Sequence, residues 1–145
     1  MGPAGRSGQS RSALPARSLD VLVVDDEPMD RDVMAQYLSG DGHRVQTASK
    51  GHEGLEQFTT GHFDVVLTDH AMPGLNGGEL AGLIKELAPM VPVILATGFG
   101  DILEATDGQP TGVDLMLTKP VSMAVLRETL AELTALPGET PAGPH

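Results

Sequence analysis

The sequence contains no cysteine and no tryptophan among its 145 residues. That excludes disulfide frameworks, thiolate metal sites and cysteine nucleophiles. It also agrees with a reducing compartment, and a cytoplasmic location is the expectation. Aromatics are scarce. Tyr37, Phe58, Phe63 and Phe99 are the only four, so Val, Leu, Ile, Met and Ala must fill any core. No apolar run approaches the roughly 20 residues of a membrane span, and the N-terminus lacks the apolar centre of a signal peptide. No membrane partner is expected. Basic residues are few, 9 against 20 acidic ones, for a net charge of -11. Three of the nine, Arg6, Arg11 and Arg17, lie in residues 1–18, which hold no acid. The strongly acidic remainder repels nucleic acid, which argues against direct DNA binding. A divalent cation or a basic partner surface suits it better.

What is present is an alternation of short apolar runs and amphipathic stretches between two tails. Residues 1–18, rich in Gly, Ser, Pro and Arg, and residues 137–145 read as disordered tails. Residues 19–136 read as one domain. Strands are predicted at 19–24, 43–48, 64–68, 93–96 and 113–117. Helices are predicted at about 28–38, 51–58, 77–87 and 122–136, with a weak one at 101–106 cut short by Asp107-Gly108-Gln109-Pro110. Pro28 suits a first helical turn, and Asn76 and Ser122 suit N-caps. The inward faces are expected to carry Val33, Met34, Tyr37 and Leu38, then Leu80, Leu83, Ile84 and Leu87, then Val125, Leu126, Leu130 and Leu133. Four of the five strands are near-continuous apolar runs, as in a parallel sheet covered by helices on both faces. The second alternates in polarity, as an edge strand does.

Each of those four runs ends in a residue that can handle a metal or a phosphate. Val21-Leu22-Val23-Val24 leads into Asp25-Asp26, and Val65-Val66-Leu67-Thr68 into Asp69. Val93-Ile94-Leu95-Ala96 leads into Thr97, and Leu115-Met116-Leu117-Thr118 into Lys119. Ligands of open α/β sheets bind outside the carboxyl ends of the strands. Parallel strands therefore bring three carboxylates, a hydroxyl and an ammonium into one crevice. Two carboxylates about 4 Å apart at an effective dielectric near 20 repel by roughly 4 kcal/mol. Lys119 offsets one charge of the three, and the rest matches a divalent cation. All-oxygen ligands favour Mg²⁺, with Mn²⁺ or Ca²⁺ as alternatives, over Zn²⁺. Thr97 and Lys119 can hold phosphoryl oxygens. Asp69, alone at the end of a central strand, is the best carboxylate nucleophile for an acyl phosphate. Taken singly, Asp25 and Asp26 before Pro28 also read as helix caps, Asp69 as a turn residue, and Gly77-Gly78 as a tight helix start.

The motifs Val23-Val24-Asp25-Asp26-Glu27-Pro28, Asp69-His70-Ala71-Met72-Pro73 with Gly77, Ala96-Thr97-Gly98 and Thr118-Lys119-Pro120 together resemble the receiver domain of two-component response regulators. The wording around Asp69 and Lys119 is similar to bacterial receivers fused to hybrid sensor kinases. The resemblance covers about residues 19–136. It implies a flavodoxin-like, doubly wound five-stranded parallel sheet of order 2-1-3-4-5 with five flanking helices, the fourth weak or short. It implies that Asp69 accepts a phosphoryl group from a phosphohistidine on a sensor kinase or phosphotransfer protein. Asp26, Asp69 and the backbone carbonyl of Ala71 would bind Mg²⁺ directly, and Asp25 mostly through water. Thr97 would bond the phosphoryl group and Lys119 pair with it. The resemblance also points to a cis Lys119–Pro120 bond. The expected protein is a single-domain switch, a monomer or weak homodimer, that signals through an unknown downstream protein and turns over no outside substrate.

Two departures matter. Met116 stands where receivers often carry an aromatic switch residue, and Gly108, Pro110 and Gly112 weaken the fourth helix. Ala71 and Phe99, which cannot orient water by hydrogen bonding, predict slow self-dephosphorylation. The rival readings are a Mg²⁺-dependent phosphohydrolase with an aspartyl-phosphate intermediate and a receiver-like module that pairs without phosphorylation. Against the first, Ala71 stands where such an enzyme needs a second acid. Against the second, the acid set is complete.

Overall fold

The computed structural model describes residues 18–98 and 112–134. The predicted tails, Phe99 and the predicted helix at 101–106 lie outside the described residues, apart from Ser18. In chain order the elements are β1 (Asp20–Val24), α1 (Pro28–Gly40), β2 (Arg44–Ala48), α2 (Gly51–Thr60), β3 (Val65–Asp69), α3 (Gly77–Leu87), β4 (Val93–Thr97), β5 (Leu115–Thr118) and α4 (Met123–Leu133). All strand pairs are parallel, in the order β2-β1-β3-β4-β5. This is the doubly wound order the resemblance implies.

Alternation of side chains across the sheet sorts the core into two faces. Leu22, Val24, Val66, Val93 and Leu95 pack with Phe58 of α2 and with Leu80, Ala81 and Ile84 of α3. Val21, Val23, Leu67 and Ile94 alternate to the other side and are equally buried. Helix α1 lies against β1 and β2 and buries Met34 and Leu38. Helix α3 begins in a capping box: Asn76 accepts from the Glu79 N–H, and the Glu79 side chain accepts from the Asn76 N–H. Such a cap contributes about 1 kcal/mol. In α4, described by itself, the Val125 N–H donates to Ser122 Oγ at the N-cap, and Leu126 and Leu130 are buried.

Three expectations are corrected. Val33, Leu87 and Val125 are exposed rather than inward, at 39%, 57% and 43%. In α1 each residue turns the face by about 100°, so Met34 and Leu38 fill the buried stripe and Val33 falls beside it. Strand β5 is half-buried, not buried throughout, because it is the outer strand of the sheet. Strand and helix limits also move by one to three residues, the usual uncertainty of element ends.

At the N-terminal rim of the sheet, the Leu19 N–H donates to His43 Nδ1 at 3.0 Å in a buried setting. The accepting Nδ1 places the proton on Nε2, which has no partner among the described residues. Burial holds the imidazole below its ordinary pKa of 6.5, against a smaller opposing pull from Asp41. A histidine with a lowered folded pKa contributes stability that is complete above 6.5 and is lost as pH falls below it. His43→Ala is expected to cost about 1–3 kcal/mol at neutral pH by orphaning the Leu19 N–H. The variant should also lose less on acidification below pH 6.5 than the wild type. Urea unfolding of both proteins across that range checks this, and parallel pH profiles would contradict it.

Candidate functional site

The parallel register delivers the predicted residues to one rim. Val24 is opposite Thr68, Asp69 opposite Ala96, and Thr97 opposite Thr118. Backbone bonds carry the ladders one step past the strand ends. The Asp25 N–H donates to the Ala48 carbonyl at 3.0 Å, and the Lys119 N–H donates to the Thr97 carbonyl at 2.9 Å. The backbones of the first residues of the β1 and β5 loops, Asp25 and Lys119, are thereby fixed by the sheet itself.

One carboxylate oxygen from each of Asp25, Asp26 and Asp69 lies within 4.8 Å of the other two. Asp25 is fully buried, Asp69 is 6% exposed and Asp26 is exposed. Lys119 Nζ donates to Asp25 Oδ2 at 3.0 Å and lies 3.1 Å from Asp69 Oδ1. Thr97 is buried at the end of β4. Ala71 sits exposed two residues beyond Asp69. The Lys119–Pro120 bond is cis. His70 is half-buried, and its Nδ1 has no partner among the described residues.

The charges explain the electrostatics. Burial pushes the Asp69 carboxyl up to about 6. The Asp25 charge and hydrogen bonding with Asp26 push the same way, and Lys119 pulls it back only in part. Burial alone would lower Lys119, but hydrogen bonds to Asp30, Asp25 and Asp69 outweigh it and raise its pKa. Lys119 is therefore a permanent cation facing an excess of acid. That excess, with an all-oxygen donor set, fits a hard divalent cation. Asp25 already accepts on both oxygens, from the Glu27 N–H at 2.9 Å and from Lys119. Asp26 and Asp69 are the freer donors of the three for a bound ion.

The close approach of α3 fixes the backbone at Asp69. A Cβ at Gly77 would collide with the Asp69 carbonyl oxygen and stand 2.6 Å from Leu95 Cδ1. The Gly77 N–H donates to the His70 carbonyl at 2.9 Å. Gly77 thus serves the tight helix start read from the sequence. Met116 packs against the core beside Leu95, its partner in register.

The profile of the response regulator receiver domain matches residues 21–131. The chain belongs to the receiver-domain family of response regulators. Over 110 residues this receiver is 36% identical to the sensor histidine kinase RcsC of Escherichia coli K12, covering 76% of the chain and 12% of the kinase. It is 32% identical over 133 residues to the transcriptional regulatory protein TcrA of Mycobacterium tuberculosis H37Rv, covering 92% of the chain and 51% of TcrA. The receiver therefore spans about an eighth of that kinase and half of that regulator. Among solved structures it resembles a response regulator receiver domain protein from Clostridium thermocellum, with a TM-score of 0.73, 36% identity, and 79% and 93% of the two chains covered. It also resembles TrrA from Thermotoga maritima in complex with Mg²⁺-BeF, with a TM-score of 0.71, 31% identity, and 79% and 97% covered.

Two site residues were not anticipated. Lys119 Nζ also donates to Asp30 Oδ2 at 3.0 Å, and Arg31 Nη1 donates to the Asp25 carbonyl at 2.9 Å. Both are in the first turns of α1. An acid there reads in sequence as a complement to the helix dipole, which hides its reach to Lys119. His62, scattered in sequence, gathers with Asp20 and Asp64 within 4.8 Å. Arg44 already holds both Asp20 oxygens, at 2.7 and 3.0 Å. Among the described residues no helix is long and apolar enough to cross a membrane.

Proposed function

We propose that this receiver accepts a phosphoryl group onto Asp69 from a phosphohistidine of a sensor kinase or phosphotransfer protein, and passes the signal on by protein contacts. The supporting observation is the Lys119 ammonium 3.1 Å from Asp69 Oδ1, beside a cluster of three carboxylates of which Asp25 and Asp69 are buried. A carboxylate oxygen of Asp69 attacks phosphorus. The phosphorus–nitrogen bond breaks, and its electron pair returns to the donor imidazole. Lys119 follows the charge onto a phosphoryl oxygen, and the Thr97 hydroxyl donates to another. Asp26, Asp69 and the Ala71 carbonyl would hold Mg²⁺ or Mn²⁺, with Asp25 behind them. The bound cation would supply neutralisation of the phosphoryl oxygens. The protein assists its own phosphorylation and hydrolysis and is not an enzyme acting on outside substrates. An apolar groove lined by Met29, Val33, Tyr37, Pro120 and Val121, together with Asp30 and Lys119, gives a partner a surface beside the acceptor.

Intact-mass analysis with acetyl phosphate and Mg²⁺ tests the reading. The wild type should gain one phosphate, and Asp69→Ala or omission of the metal should abolish the gain. An adduct that persists in Asp69→Ala would assign a different acceptor. Steady phosphate release from small phosphomonoesters would favour the phosphohydrolase instead.

A further inference from the structure

We propose that Asp30 is a positioning residue that holds Lys119 while Asp69 is unmodified and yields it when a phosphoryl group arrives. The inference rests on Asp69 being the acceptor. A lysine ammonium has three N–H donors and no more. Here three carboxylates take them up: Asp25 Oδ2 at 3.0 Å, Asp30 Oδ2 at 3.0 Å and Asp69 Oδ1 at 3.1 Å. A phosphoryl oxygen on Asp69 can engage Lys119 only if one of these contacts is given up.

The three contacts are not equally easy to release. Asp25 is fully buried, and its second oxygen is tied to the Glu27 N–H. Freeing it from Lys119 would leave a buried charge without its counter-ion. Asp69 loses its carboxylate charge on reaction and hands the Lys119 N–H it accepts to a phosphoryl oxygen, so a second N–H for the phosphoryl group must come from another contact. The Asp30 side chain is 46% exposed, at the rim of the site on the first turn of α1. Its carboxylate can return to water at small cost. Asp30 is therefore the exchangeable partner, and its hydrogen bond competes with the phosphoryl group for the same ammonium. Two consequences follow. Asp30 sets how firmly Lys119 grips an incoming anion. It also couples occupancy of the site to the start of α1, because releasing Asp30 frees the side chain that joins this helix to β5.

Titrating beryllofluoride with Mg²⁺, a phosphoryl stand-in, by isothermal calorimetry tests this. Asp30→Asn removes the competing charge and should tighten binding about five- to tenfold, the worth of one hydrogen bond at the half-exposed rim of the site. Asp30→Glu should restore weaker binding. Asp32→Asn removes the same charge from an exposed position of α1 and should leave the affinity within about twofold. The effect of Asp30→Asn should persist at high salt, where a general field effect is screened. Unchanged affinity in Asp30→Asn, or equal tightening in Asp32→Asn, overturns the proposal. Failure of the wild type itself to bind the stand-in, with no phosphate gained in intact-mass analysis, would instead refute Asp69 as the acceptor.

Discussion

Lys119→Met should destabilise the metal-free protein by about 3–5 kcal/mol, and Mg²⁺ should recover much of the loss. Lys119 is the cation that Asp25, Asp30 and Asp69 share. Methionine keeps much of the side-chain length and the apolar stem but removes the charge. Asp25, with no exposed surface, then keeps only the Glu27 N–H among these partners. Removing one member of a buried ion pair typically costs about 3–5 kcal/mol, because the remaining charge stays desolvated. The carboxylates can relieve part of this by taking up a proton, so the loss should grow as pH rises. A divalent cation replaces the missing charge, and ligand binding to the folded state alone stabilises it by mass action. Denaturant unfolding of wild type and variant, with and without millimolar Mg²⁺, measures both effects. A loss under about 1 kcal/mol without metal would show that the ammonium is not what neutralises the acids.

The five anticipated side chains were legible because the signal is topological. Each follows an apolar run, and a parallel sheet brings run ends to one rim whatever the loops between them do. The capping box at Asn76 was half legible, as a short polar residue ahead of a helical pattern. Asp30 was not legible. Its reach to Lys119 spans 89 positions and depends on where α1 lies, which hydrophobic periodicity does not specify. The same limit explains Val33 and Val125. A period of 3.6 gives a stripe, but the width of the stripe that neighbouring elements cover is a tertiary quantity. Strand β5 was misread for a related reason. Its apolar composition matches a central strand, whereas its position at the sheet edge leaves it half-buried. Met116 shows the reverse case. A departure noted in sequence turns out to fill core space beside Leu95, so the thioether packs where receivers often place a ring.

Asp69→Asn should stabilise the metal-free protein at neutral pH by about 2–3 kcal/mol. Burial and the Asp25 charge hold the Asp69 carboxyl at about 6, against an ordinary 3.8. At about 1.4 kcal/mol per pKa unit, the ionised form in the fold carries a penalty near 3 kcal/mol. The amide is close in shape and has no charge to desolvate, so it escapes this penalty and loses only part of the contact with Lys119. The pH dependence has a definite sign. Between about 4 and 6 the folded state binds a proton that the unfolded chain has already lost. Wild-type stability therefore falls as pH rises through that window, and the penalty is complete above it. The gap between variant and wild type should open from near zero at pH 4 to its full size above pH 6. Mg²⁺ should narrow the gap from the other side, because it compensates the Asp69 charge in the wild type and finds one ligand fewer in the variant. Thermal or urea unfolding from pH 4 to 8, with and without Mg²⁺, tests all three parts. A variant less stable than the wild type at pH 7, or a gap independent of pH, would mean that Asp69 is held as a comfortable carboxylate. It would then lack the unsatisfied charge on which the proposed metal binding and phosphoryl acceptance depend.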